Sequence, residues 1–173
     1  MTPTRGQYEK GSRHTQRLQH ETFDVDSKQL DRTFRQLQTR LHPDKLSSSV
    51  PEEQENAANQ SAYVNGAYRT LKDPLARAYH LLQRRGRSDG QGGEGTIEDP
   101  ELLMMVMETR QQIEEAESQE DLMALRHTNE AKRRDCIQSM SVAFGKEDLD
   151  LAEELVTQLR YLTTAGDAIS LKL

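Results

Sequence analysis

The strongest constraint on the fold is a run of apolar residues with helical spacing that ends at a proline. Four residues follow one another at intervals of four, three and four: Leu30, Phe34, Leu37 and Leu41. Such spacing places them on one face of an α-helix. The helix has to end at His42-Pro43, because proline lacks an N–H donor and disfavours helical geometry at the preceding residue. The sequence therefore predicts an amphipathic helix from about Asp26 to Leu41.

Two further helices are predicted before a glycine-rich stretch. Proline and two acids favour a first turn near Pro51, and that helix runs to about Leu71. Asp73-Pro74 opens a third helix that extends to about Arg85. The first two helices are expected to pack as an antiparallel hairpin.

Three more helices are predicted after a linker at 87–99. They run from about Pro100 to Glu117, from Ser118 to Phe144, and from about Lys146 to Leu162, with an extension to Leu171 left open. Ser118 and Asp121 have the spacing of a capping box. No alternating pattern of strands is present. We therefore predict an all-α fold, a helical hairpin followed by a three-helix bundle.

Composition excludes several classes of function. No stretch of about eighteen apolar residues occurs, so no membrane span is expected. A single cysteine, Cys136, excludes an internal disulfide and a cysteine-cluster metal site. Residues 28–45 hold five basic and two acidic residues, whereas 101–154 hold fourteen acidic and six basic. This asymmetry predicts two surfaces with different partners. The basic part is too short and too poor in aromatics to predict nucleic-acid binding.

The tripeptide His42-Pro43-Asp44 lies between two predicted antiparallel helices. In this context it indicates a resemblance to a known family. The segment from Leu30 to Leu71 resembles the J domain, and the chain is most similar to the HscB-type J-proteins of iron–sulfur cluster biogenesis. The matching stretches are Phe34-Arg-Gln-Leu-Gln-Thr-Arg-Leu-His-Pro-Asp-Lys45, Asn65-Gly-Ala-Tyr-Arg-Thr-Leu-Lys-Asp-Pro74, Leu75-Ala-Arg-Ala-Tyr-His-Leu-Leu82, Leu102-Leu-Met-Met-Val-Met-Glu108 and Leu159-Arg-Tyr-Leu162.

The resemblance implies a co-chaperone rather than an enzyme. A J domain binds a DnaK-type heat-shock chaperone and stimulates its ATPase. The implied chaperone-binding residues are His42, Pro43, Asp44, Arg35, Arg40 and Lys45. Positive charge on the helix fits electrostatic steering onto an acidic face. Two other interpretations of these residues are a solvated charged face with a helix stop, and a His42–Asp44 acid–base pair. A catalytic acid–base pair would need a nucleophile and a pocket, and the sequence shows neither.

The helix from Pro100 is apolar on more than one side. At about 100° per residue, one stripe holds Leu102, Val106, Ile113 and Ala116. The opposite half holds Leu103, Met104 and Met107, beside Glu108, Gln111 and Glu115. A three-helix bundle cannot bury both faces. The second face is therefore expected either to pack against the hairpin side or to bind a partner.

In the HscB-type family the matching positions contact the iron–sulfur scaffold protein. The resemblance thus implies a scaffold-binding set of Leu103, Met104, Met107, Glu108, Glu115 and Tyr161. Gln111 stands where an acid is often found. No cofactor and no metal are implied, because the cysteine-rich module of some animal relatives is not in this sequence. Two rival functions are a helical interaction protein whose hairpin no longer activates a chaperone, and a J-protein with another client.

The N-terminal stretch departs from the family. Residues 7–21 are polar, whereas a J domain usually begins with a short helix rich in aromatics. We interpret 1–22 as a disordered leader or a degenerate first helix, 23–86 as the J domain and 100–173 as the scaffold-binding bundle. Four bases against one acid in 1–19 also fit the tail of an organelle-targeting segment. The family resemblance implies a mitochondrial location in a eukaryote and a cytoplasmic one otherwise.

Overall fold

A computed structural model of the chain describes residues 21–41, 51–87 and 99–173. Every regular element in these ranges is an α-helix, which confirms the predicted all-α fold with a hairpin followed by a three-helix bundle. The helices are α1 (Ser27–Leu41), α2 (Pro51–Lys72), α3 (Pro74–Arg84), α4 (Pro100–Glu115), α5 (Gln119–Gly145) and α6 (Leu149–Lys172).

The α1–α2 hairpin is held by one aromatic stack and a set of polar bonds. The rings of Phe34 and Tyr68 stack with their centroids 4.0 Å apart. The Tyr68 hydroxyl and the Lys72 ammonium both donate to Asp31, at 2.9 and 2.7 Å. The Gln38 side chain also donates a hydrogen bond to Asn65 and accepts one from Ser61. No residue of α1 is fully buried, so the hairpin has a thin apolar core.

Helix α3 connects the hairpin to the bundle. Asp73 caps its N-terminus by accepting from the backbone N–H groups of Leu75 and Ala76, with Pro74 in the first turn. The buried residues of α3, Ala78, Leu81 and Leu82, belong to the same core cluster as residues of α5 and α6.

Helix α3 ends at a glycine in the left-handed region. Gly86 has a φ of 75°, and its N–H donates to the Gln83 carbonyl, while the Arg87 N–H donates to Leu82. This pair of bonds is a Schellman motif, which needs a residue that tolerates positive φ. The motif turns the chain at the beginning of the predicted linker.

The main core lies between α5 and α6. Met140 and Leu159 are fully buried there. Cys136 lies on the same buried stripe, and its thiol donates to the Leu155 carbonyl. The prediction that Cys136 is a buried core residue is confirmed. Burial raises the pKa of this thiol to about 11.

A second, smaller cluster fixes the C-terminal end of α4 against the other two bundle helices. It contains Ile113, Leu122 and Ile169. Ile113 is the one fully buried residue of α4. The Lys172 ammonium of α6 also donates to the Ile113 and Glu114 carbonyls at 2.5 and 3.3 Å. It therefore satisfies orphan acceptors at a helix end that has no basic residue of its own.

The chain segment before α1 is anchored on the bundle. Phe23 is 2% exposed and stacks on Phe144 of α5 with ring centroids 5.2 Å apart. The Arg77 guanidinium lies 4.8 Å above the Phe23 ring. On either side, Glu21 pairs with Arg84 and Asp24 accepts from Ser141. These contacts tie the start of the hairpin to α3 and α5.

Candidate functional site

Two of the six chaperone-binding residues expected from sequence lie within the described ranges. Arg35 and Arg40 are both exposed on α1. They are five positions apart, so their side chains leave the helix about 140° from each other. His42, Pro43, Asp44 and Lys45 lie outside the described residues, and their assignment stays a prediction.

The four bases of α1 are exposed, whereas its one acid is turned towards α2. The sequence of α1 has four bases and a single acid, Asp31. The hydrogen bond from Lys72, followed by that from Tyr68, lowers the pKa of Asp31, so the carboxylate stays charged and paired. The same hydrogen bond raises the pKa of Lys72. The positive charges of α1 are thus left to face solvent.

The second apolar face of α4 is exposed, as the helical spacing indicates. Leu103 is 43% exposed, and Met104 and Met107 are each 63% exposed. Ile113 on the opposite stripe is buried, and Leu102 and Val106 are half-buried. The three exposed side chains line one shallow groove with Glu108 and Gln111. Every residue that lines this groove belongs to α4, an observation that favours partner binding over packing against the hairpin.

Polar side chains border the exposed face of α4. Gln111 donates to Glu115 at 2.8 Å, a bond that a carboxylate at position 111 could not make. Glu108 and Glu115 are exposed. Glu108 and Glu114 line the groove with the methionines, whereas Glu115 does not. The groove and its border combine adaptable apolar side chains with negative charge.

Tyr161 lies on the other flank of α4. Its ring is half-buried on α6 and carries the Arg160 guanidinium 5.3 Å from its centroid. Tyr161 lines a cavity between α4 and α6, and it is absent from the lining of the methionine groove. Arg110 borders both. The structure therefore places five of the six expected scaffold-binding residues along α4 and the sixth across Arg110 from them.

The sequence interpretation missed two residues that shape this region. Met105 packs against the main core, although it was assigned to neither stripe. Arg110 was not singled out, yet it is the single base on α4. A lone base in an otherwise acidic helix was the signal that could have identified it.

The described ranges contain neither a metal-binding cluster nor a membrane-spanning helix. Among their residues no group of three or more His, Cys, Asp or Glu side chains is placed to hold a metal ion. None of their helices is long and apolar enough to cross a membrane. The described residues present two exposed faces, a basic one on α1 and an apolar one on α4.

Comparison with known proteins identifies the family. The sequence model of the HSCB C-terminal oligomerisation domain matches residues 98–170. A co-chaperone protein HscB homolog from Neisseria meningitidis is 37% identical over 153 residues, covering 86% of this chain and 90% of that protein. The human iron–sulfur cluster co-chaperone protein HscB is 31% identical over 87% of this chain, which spans 64% of the human protein.

Solved structures give the same result. The crystal structure of human co-chaperone protein HscB superposes with a TM-score of 0.80 at 32% identity, covering 87% of this chain and 76% of that one. The chaperone HscB from Vibrio cholerae gives a TM-score of 0.75 at 28% identity, covering 86% and 89%. The chain belongs to the HscB family of co-chaperones.

Proposed function

We propose that this protein is a J-type co-chaperone of iron–sulfur cluster biogenesis. It stimulates the ATPase of a DnaK-type chaperone through its hairpin, and it carries the cluster scaffold protein on the exposed face of α4. The observation that carries the proposal is the exposed Leu103–Met104–Met107 face in a chain of the HscB family. The human relative is an iron–sulfur cluster co-chaperone, and this likeness supports the assignment to iron–sulfur cluster biogenesis.

The chaperone side of the proposal rests on charge. The basic outer face of α1 attracts an acidic surface and raises the rate of productive encounters. His42-Pro43-Asp44 follows directly after the last residue of α1, Leu41, so docking of α1 brings the tripeptide to the chaperone. The ATP hydrolysis itself belongs to the chaperone.

The scaffold side rests on apolar exposure. Methionine side chains adapt to varied surfaces, and a buried apolar centre with a charged rim is the usual anatomy of a protein interface. Because Glu108 and Glu114 line the groove and Glu115 follows directly in the sequence, we expect basic groups on the scaffold around an apolar patch.

The two surfaces lie on separate parts of the molecule. The hairpin contacts the bundle mainly through α3, which packs against both α2 and α6. The α4 face belongs to the bundle. One molecule can therefore hold chaperone and scaffold at once, as delivery requires.

The chaperone step is tested with a single-turnover ATPase assay. Wild-type protein should raise the hydrolysis rate of the chaperone, and His42→Gln should not. His80→Gln is a matched control, because His80 is exposed on α3 outside the tripeptide. A wild-type protein that leaves the chaperone's rate unchanged would contradict this step.

The scaffold step is tested by titration with the scaffold protein. Leu103→Ala/Met107→Ala removes two exposed apolar side chains, each worth about 1 kcal/mol or more at the centre of an interface. We therefore expect binding to weaken by about tenfold or more. Met123→Ala is the matched control, because Met123 is 59% exposed on α5. Equal affinities of the double variant and the control would contradict the proposed surface.

A second candidate function is a helical interaction protein whose hairpin does not activate a chaperone. The observation that favours it is the absence of any fully buried residue in α1. The ATPase assay separates the two, since this candidate predicts equal rates with wild type and His42→Gln.

With regard to location, we propose the mitochondrion in a eukaryotic cell and the cytoplasm in a bacterial one.

A further inference from the structure

A small cavity lies between α4 and α6, beside the exposed face of α4. Its volume is about 80 Å³, several times the roughly 10–15 Å³ that one water molecule needs. The walls combine apolar and small side chains, namely Val106, Thr109 and Ile113 of α4 with Leu162, Ala165 and Ala168 of α6. The cavity is therefore large enough to receive an aliphatic side chain.

Small residues create this space. Thr109 on α4 faces Ala165 and Ala168 on α6 across the cavity, and both alanines pack beside the Ile113 cluster. A leucine at any of these three positions would fill the void from within. The affinity of a complex increases when an apolar side chain of the partner displaces poorly ordered water from an apolar recess at the surface.

The cavity is lined by the one base of an otherwise acidic helix. Arg110 is exposed, lines the cavity, and makes no hydrogen bond or ion pair with any residue in the described ranges. Every other charged residue of α4 is a glutamate. Tyr161 also lines the cavity, and the Arg160 guanidinium lies 5.3 Å from the centroid of its ring. An occupant that places a carboxylate next to its aliphatic side chain complements both features.

Arg110 also makes the cavity continuous with the methionine groove, because it lines both. A partner that covers Leu103, Met104 and Met107 therefore reaches the cavity by crossing one side chain. From the cavity size, the charge of Arg110 and this continuity, we infer that the scaffold protein inserts one aliphatic side chain here and pairs an adjacent carboxylate with Arg110. The inference rests on the proposed function.

The first test fills the cavity from within. Ala165→Leu should weaken binding of the scaffold protein by about tenfold or more, while the melting temperature stays equal or rises. Ala124→Leu adds the same side chain at an exposed position of α5 and should bind like wild type. If Ala165→Leu does not fold, Thr109→Leu fills the cavity from α4. A folded, filled variant that binds like wild type would overturn the inference.

The second test concerns the charge. Arg110→Ala should weaken binding and reduce its dependence on salt, and Arg110→Lys should restore most of both. Unchanged affinity and salt dependence in Arg110→Ala would contradict the carboxylate. The two failures are distinguishable. If Leu103→Ala/Met107→Ala loses the scaffold while the filled cavity binds normally, the proposed surface stands and only the cavity inference is wrong. If the double variant keeps wild-type affinity, the proposed surface itself is wrong.

Discussion

Phe23 anchors the segment before α1 on the bundle, and its truncation should destabilise the protein. It precedes α1, yet its side chain is 2% exposed and stacks on Phe144 under the Arg77 guanidinium. Truncation of a buried phenylalanine to alanine costs about 3–5 kcal/mol. Because the segment before α1 is not helical and can relax into the gap, we expect a value near the lower limit, about 3 kcal/mol.

The assay is urea unfolding followed by circular dichroism, with a thermal scan beside it. A loss of about 3 kcal/mol lowers the melting temperature by about 6–12 °C in a chain of this size. Tyr63→Ala is the matched aromatic control, because Tyr63 is 79% exposed on α2, and it should stay within about 0.5 kcal/mol of wild type. A Phe23→Ala variant that unfolds at the same urea concentration as the Tyr63→Ala variant would refute the anchoring role.

Three further substitutions test other contacts. Asn129 is buried and donates to the Leu162 carbonyl at 2.9 Å, so Asn129→Ala should reduce the free energy of unfolding by about 1–2 kcal/mol in urea titrations. Lys172→Met should cost about 1 kcal/mol, or about 2–4 °C in melting temperature, by uncapping α4, whereas Lys172→Arg should melt near wild type. The Cys136 thiol has a pKa of about 11 in the folded protein against its ordinary 9.0. It should therefore resist alkylation below pH 9 in the native state, as mass spectrometry would show. Since the unfolded thiol ionises first, stability should be unaffected below pH 9 and fall between pH 9 and 11; a Cys136→Ala variant should lack this fall.

Helix starts were predictable because their signals are local. Asp73-Pro74 and Ser118 with Asp121 carry caps within four residues of sequence, and the structure forms both, including the capping box with aspartate in place of glutamate. The start of α6 was predicted less accurately. The chain turns through Glu147, at a φ of 58°, and the helix begins at Leu149 under an Asp148 cap, rather than near Lys146.

Contacts between distant segments were not predictable from periodicity. Phe23 stands alone among polar residues, and no helical pattern assigns it to a core. The end of α4 at Glu115, two residues before the expected Glu117, coincides with capping by Lys172 from the far end of the chain. Spacing within one helix contains no information about which lysine of another helix reaches its last carbonyls.

The candidate site also has one part that the sequence predicts and one part that it does not. The exposure of Leu103, Met104 and Met107 follows from the angles at which side chains leave one helix, so sequence alone could predict it. The cavity beside Tyr161 depends on small residues of α6 meeting Thr109 of α4, which only the packed pair of helices determines.

The distribution of contacts along α4 explains how one helix supports a core and a binding surface. Its C-terminal half is fixed by the buried Ile113 and by Lys172, whereas its N-terminal half carries the exposed methionines. Substitutions of Leu103, Met104 and Met107 should therefore change partner affinity with little effect on stability, because solvated side chains contribute little to folding. Substitutions near Ile113 should lower stability first and affinity only through the position of the helix. The turn between these halves holds Arg110 and the cavity, and there one substitution is expected to change affinity and stability in opposite directions.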